Sequence, residues 1–214
     1  MVGCLGSSPS ICSIRSILCR RRYIGDRLYP MSLAKITKNL APTRQSQPHS
    51  ENQRRAAVLA LFDEHHDELR LWFIRRAELG DDHSGQVAFP GGHLHNHETP
   101  EDAALRECFE EITVPNDAIE VIGGLDDVVS IFGTIVSPII GRLKRPVHPV
   151  ADNQEVARVF SVKWNDLAHR RCYRKETWGE RQYPMHFWQL EGETIWGLTA
   201  FFVNTLIELE QRHE

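Results

Sequence analysis

The apolar positions beyond residue 53 follow two rhythms, short runs or alternations that suit strands and three- to four-residue steps that suit helices. Residues 56–62 form an apolar run fit for a buried strand. Residues 69–75 alternate enough to be its hairpin partner across the polar turn 63–68. A short strand is expected over 86–89, stopped by Pro90-Gly91-Gly92. Residues 99–112 step as a helix. Strands are expected over 119–129, 134–143 and 155–162, with a helical turn over 164–169, a last hairpin from 186–190 and 194–196, and a closing amphipathic helix over 198–210. Several strands mixed with few helices predict an α/β sandwich with a mixed sheet.

Composition changes this picture mainly at the N-terminus. Residues 1–50 hold eight basic residues and one acid, Asp26, which leaves 17 basic and 28 acidic residues in 51–214, a net charge of −11. An acidic body argues against a nucleic-acid groove and permits cation binding. Residues 1–52 are therefore expected to be a disordered or targeting extension, and residues 53–214 a single folded domain. The Ser- and Arg-rich extension, with Ile11, Ile14 and Leu18 as an apolar stripe, resembles a mitochondrial transit peptide; a start at Met31 and a cytoplasmic protein is the alternative. The five cysteines, Cys4, Cys12, Cys19, Cys108 and Cys172, form neither CxxC pairs nor an even framework, which fits a reduced compartment. No apolar run reaches the ~18–20 residues of a membrane span.

The helix over 99–112 carries the candidate chemistry. Thr99 is a good N-cap, Pro100 suits the first helical position, and Glu101 and Asp102 favour the positive helix start. Leu105, Cys108 and Ile112 make the expected buried stripe. Glu107, Glu110 and Glu111 share another face at i, i+3 and i+4, where like charges repel by roughly 0.2–0.5 kcal/mol per pair. A divalent cation with a preference for hard oxygen ligands, Mg²⁺ or Mn²⁺, turns that repulsion into coordination. Arg106 lies four residues before Glu110 and can orient a carboxylate by a bidentate bond. His93, His95 and His97 alternate just upstream, but no Cys or further His is placed to complete a tetrahedral zinc set.

Read from Gly92, five residues precede Glu98, seven more precede Arg106, and Glu107, Glu110, Glu111 and Val114 follow at fixed spacing. This resembles the Nudix box, G-x5-E-x7-R-E-U-x-E-E-x-G-U, with Thr113 standing where the pattern has Gly. The resemblance implies a Nudix α/β/α sandwich and hydrolysis of a nucleoside diphosphate linked to another moiety. It implies Glu98, Arg106, Glu107, Glu110 and Glu111 as catalytic residues, with Glu107, Glu110 and Glu111 as metal ligands and Glu98 in a supporting or general-base role. Upstream, Arg75-Arg76 and the segment 83–92, HSGQVAFPGG, are similar to the extra motif of the coenzyme A diphosphatase branch. This resemblance implies coenzyme A or an acyl-CoA as the small-molecule substrate, with Arg75, Arg76, Gly91 and Gly92 as substrate contacts in a monomer or homodimer. Gly80, Asp81 and Asp82 fill a stretch where that branch carries an Arg. Glu155 is a candidate distant base, and Trp188 and Trp196 are candidates to stack an adenine or to pack a core.

Overall fold

In the computed structural model, residues 33–40, 53–65, 68–80, 84–151, 154–178 and 181–212 are described. The proposed transit stripe, Met31, Cys4, Cys12, Cys19, Asp81-Asp82 and His83 lie outside them.

The body is built on one mixed sheet. Strand β1 (Arg55–Asp63) runs parallel to β7 (Ile135–Leu143) over eight residue pairs, from Arg55 opposite Ile135 to Phe62 opposite Arg142. Every other pairing in that sheet is antiparallel. Strand β2 (Arg70–Arg76) meets the end of β1 and pairs along its length with β8 (Val156–Lys163). The two-residue β3 (Val87–Ala88) pairs with β2, and β4 (Gly91–His93) with the start of β1. On the far side, β5 (Ile119–Gly124) and β6 (Val128–Val129) both pair with β7. The expected single strand over 119–129 is thus two. Gly123-Gly124 follow a register shift, and Asp127 turns inward to accept a hydrogen bond from the Ser137 hydroxyl (2.6 Å).

Helix α2 (Pro100–Ile112) covers one face. Its buried Ala103, Ala104, Cys108 and Ile112 pack on Ala57, Leu59, Leu61 and Ile139. The small residues let helix and sheet approach closely. Thr99 caps the helix as expected, accepting from Asp102 N at 3.1 Å. At the other end Thr113 takes the left-handed conformation (φ 56), and its hydroxyl donates to the carbonyl of Val150 (3.2 Å), tying the loop before β8 to the helix.

The opposite face carries helices α1 (Leu33–Asn39) and α4 (Gly197–Gln211), the turn α3 (Trp164–His169), and the ribbon β9 (Cys172–Trp178), β10 (Arg181–Leu190) and β11 (Glu193–Ile195). Trp164 is fully buried, edge-on to Phe62, and donates its indole N–H to Glu210 (2.9 Å). Helices on both faces of a mixed sheet make the α/β/α sandwich. On this face two elements were not anticipated. Strand β9 has too polar a sequence to show an apolar rhythm. Residues 33–39, placed by their composition in the N-terminal extension, form α1 and join the core: Leu33 and Ile36 are buried, and Asn39 donates to the carbonyl of Leu209 (2.8 Å). Among the described residues no helix is long and apolar enough to cross a membrane.

Because Ile36 is wholly enclosed, Ile36→Ala is expected to lower stability by about 2–4 kcal/mol through lost contacts and a residual cavity. Denaturant titration measures this; an unchanged midpoint would mean that α1 contributes nothing to the folded body.

Candidate active site

The site forms where the loop after β4 brings Glu98 back beside α2. Arg106, midway along that helix, uses all five of its N–H donors. Nε and Nη2 form a fork on the two oxygens of Glu98 (2.8 and 3.0 Å), and Nη2 also reaches the carbonyl of His93 (3.0 Å). Nη1 donates to Glu107 (2.8 Å) and to Glu110 (3.1 Å). The bidentate partner of Arg106 is therefore Glu98, eight residues away, rather than Glu110. This fork, with the backbone N–H of His95 (2.8 Å) as a further donor, holds the Glu98 carboxyl down at about 2. Glu98 is thus an anchor for Arg106 and a poor proton acceptor near neutrality.

Gly91 and Gly92 have roles that a side chain would destroy. A Cβ at Gly92 would lie 2.2 Å from Glu107 Oε1, so the glycine floor is where that carboxylate rests. A Cβ at Gly91 would lie 2.3 Å from the carbonyl of Ala57. The Gly91 N–H instead donates to Glu111 Oε2 (2.9 Å). The two glycines expected to admit phosphates thus also seat the protein's own glutamates.

Glu111 lies at the edge of the apolar helix face and is only 2% exposed. Burial pushes its carboxyl up to about 7, and the negative charges of Glu107 and Glu155 add to the effect. The Gly91 N–H and the positive charge of Arg76 offset it in part. A buried carboxylate short of positive charge, beside two others with only oxygen donors to offer, suits a hard divalent cation. The three are not yet gathered: Glu107 and Glu110 turn to Arg106, and among the described residues no three His, Cys, Asp or Glu side chains form a metal-holding group. The bonds described use one oxygen each of Glu107 and Glu111.

The other expected site residues divide. Arg76 faces the glutamates, and Glu155, at the start of β8 and largely exposed, lies 4.0 Å from it. Arg75, one residue earlier on β2, is directed to the other face of the sheet, toward Glu193 of β11 (3.8 Å). Trp188 is fully buried and donates to the carbonyl of Leu167 (2.6 Å), so it is core; Trp196 is exposed just before α4. Cys108 is enclosed, and burial raises its thiol well above the ordinary range, which makes it inert. Glu193, a buried acid on the other face of the sheet, has no local sequence signal; only the packing of β11 beside the main sheet brings its carboxylate to Arg75 and Arg158.

A helix that presents Arg106-Glu107 and Glu110-Glu111 over a glycine-floored strand defines an α/β protein with a carboxylate cluster suited to a divalent cation. Comparison with known proteins gives the family. The NUDIX domain profile matches residues 51–187. NudL of Klebsiella pneumoniae subsp. pneumoniae, described as an uncharacterized Nudix hydrolase, is 35% identical over 173 residues, covering 76% of this chain and 85% of that protein. NudL of Photorhabdus laumondii is 33% identical over 169 residues, covering 76% and 88%. Among solved structures, the Nudix hydrolase RenU of M. smegmatis shares 26% identity, covers 54% of this chain and 74% of its own, and has a TM-score of 0.47. The chain belongs to the Nudix family and is a Nudix hydrolase, a class of enzymes that generally use divalent metal ions.

Two opposite pH effects follow for the metal-free protein. Glu98, lowered in the fold, stabilises above the ordinary carboxyl range, and that contribution is lost as pH falls toward 2. Glu111, raised in the fold, carries no penalty below that range, and stability is lost as pH rises from 4.5 through 7. Glu111→Gln keeps an acceptor for Gly91 and removes the charge. It is expected to stabilise the metal-free protein at pH 7.5 by about 1–3 kcal/mol and to be neutral at pH 4.5. Thermal melts in chelator at both pH values test this; equal shifts at both would show that charge is not the cause.

Proposed function

We propose that this Nudix hydrolase cleaves the diphosphate bond of coenzyme A or an acyl-CoA, releasing 3′,5′-ADP and (acyl-)4′-phosphopantetheine. The observation that carries the proposal is the position of the HSGQVAFPGG segment. Its last two residues, Gly91 and Gly92, lie in β4 directly beneath the glutamates, with the Gly91 N–H on Glu111 and Gly92 against Glu107. The part of the chain similar to the coenzyme A diphosphatase motif therefore lines the place where a diphosphate is to be cut. Glu107, Glu110 and Glu111 would hold Mg²⁺ or Mn²⁺. When bound, the cation supplies positive charge against the diphosphate oxygens and acidifies water.

The chain's own residues do the positioning. Arg106, fixed by Glu98, sets the spacing between Glu107 and Glu110. Arg76 brings positive charge to the rim beside Glu111, where a diphosphate oxygen can take it up. Glu155, exposed and next to Arg76, is placed to accept a proton from water at that rim. A second reading, hydrolysis of another nucleoside diphosphate-linked substrate, is favoured by Gly80-Asp81-Asp82 standing where the coenzyme A branch carries an Arg. The basic, Ser-rich first 30 residues support a mitochondrial location, with a cytoplasmic form starting at Met31 as the alternative.

Purified protein with Mg²⁺ is expected to release 3′,5′-ADP from coenzyme A, followed by chromatography against nucleotide sugars and dinucleoside polyphosphates. Turnover of those alone would establish the second reading. Glu110→Gln and Glu111→Gln are each expected to lower kcat by roughly 10²–10³-fold through lost charge organisation at the diphosphate; wild-type rates in both would remove these glutamates from the reaction.

A further inference from the structure

The end of β2 directs two successive arginines to opposite faces of the sheet. Arg76 goes to the glutamates. Arg75 goes to a second charged cluster that the hydrolytic chemistry does not use. There the β2–β8 register sets Arg75 directly opposite Arg158, a pairing of like charges that by itself destabilises a sheet. A single carboxylate serves both: Glu193 Oε1 lies 2.9 Å from Arg158 Nη1 and 3.8 Å from Arg75 Nη1, and is largely buried. Arg158 is further fixed by the carbonyl of Glu191 (3.1 Å), in a turn where Glu191 itself takes a left-handed φ of 55, and by the ring of Phe160 (5.0 Å). The cluster thus keeps one positive charge in excess. Among the described residues the buried Arg75 Nε has no hydrogen-bond partner. Both arginine side chains remain about two-fifths exposed. An orphan buried donor beside an uncompensated, accessible cation pair calls for an anion.

We propose that Arg75 and Arg158 form an anion subsite that binds a phosphate monoester of the substrate, separate from the diphosphate addressed by Glu107, Glu110 and Glu111. Arg76 and the glutamates lie on one face of the sheet and Arg75 with Arg158 on the other, so a substrate that meets both would pass around the end of β2 beyond Ala77. Two forked guanidinium groups match the oxygens of a phosphate monoester, whose negative charge answers the one positive charge that Glu193 leaves in excess. The inference rests on the proposed function in taking the substrate to carry such a monoester, as the 3′-phosphate of coenzyme A.

Calorimetric titration of the full chain with adenosine 3′,5′-bisphosphate, adenosine 5′-monophosphate and inorganic phosphate tests it without turnover. The bisphosphate is expected to bind roughly 10-fold or more tighter than the monophosphate, from charge-assisted bonds to one added phosphate. Arg158→Gln is expected to abolish that preference. Arg158→Lys, which keeps the charge and the fold but not the fork, is expected to reduce it to a few-fold and decides the matter if the Gln variant does not fold. No preference in the wild type, an undiminished preference in either variant, or tight binding of phosphate alone without a bisphosphate preference would each overturn the subsite. If the preference behaves as expected while coenzyme A is not hydrolysed, the subsite stands and the substrate reading falls.

Discussion

The site depends on the saturation of one guanidinium. Arg106 has five N–H groups in a rigid plane, and each has an acceptor within 3.1 Å: Glu98 twice, His93, Glu107 and Glu110. Three carboxylates so close would repel one another and pull the loop after β4 away from α2. With Arg106 among them, the same repulsion becomes a set of charge-assisted bonds joining the loop, the end of β4 and two helix positions. Lysine could supply the charge but neither the fork on Glu98 nor the simultaneous reach to the other side. The depressed carboxyl of Glu98 and the raised basicity of Arg106 are the two ends of this one interaction.

The backbone beneath adapts to the same cluster. Glu107 needs floor space, and Gly92 provides it by lacking a side chain; Glu111 needs a donor, and Gly91 provides one. Ala57, Ala103 and Ala104 allow α2 to settle low enough for these contacts. The helix–sheet distance, a packing quantity, therefore sets the spacing of the charged groups, a chemical one. A larger residue at any of these alanines would shift the carboxylates through packing alone, with no change in charge.

Much of this was legible in the chain. The Thr99 cap, the extent of α2 and the mixed α/β layering follow from local spacing and apolar rhythm, and the structure has them. Of the three glutamates expected on one polar face, Glu111 instead joins Cys108 and Ile112 on the buried side of α2, while Glu110 stays exposed. What was hidden is nonlocal or masked by composition. Gly91-Gly92 read as a stop because glycine weakens a strand, yet β1 recruits them as β4 through its own unpaired edge. Leu33 and Ile36 are too few to mark a helix until α4 gives them a surface. Glu98 and Arg106 look like separate positions in sequence, and only the loop's return makes them a fork. Thr113 could be marked as irregular, but its use in tying down Val150 depends on a loop 37 residues away.

The buried Glu111 shows why such a fold tolerates a destabilising group. Its carboxyl, raised to about 7, is held in a place that its own chain does not neutralise. Arg106, the obvious counter-charge, is already committed to Glu98, Glu107 and Glu110. Arg76 reaches the site only from the far end of β2, and its charge does not cancel the effect of burial. Moving Glu111 outward by one helix position would remove the penalty, but would also take it off the Gly91 N–H and away from the glycine floor. The position is explained if the missing positive charge arrives with the cation and the substrate. The same bookkeeping explains the opposite imbalance at Arg75 and Arg158, where a cation surplus is held open across the end of β2. A shortfall of positive charge on one face of the sheet and an excess of it on the other is the charge pattern that the proposed substrate, with its cation, would complete.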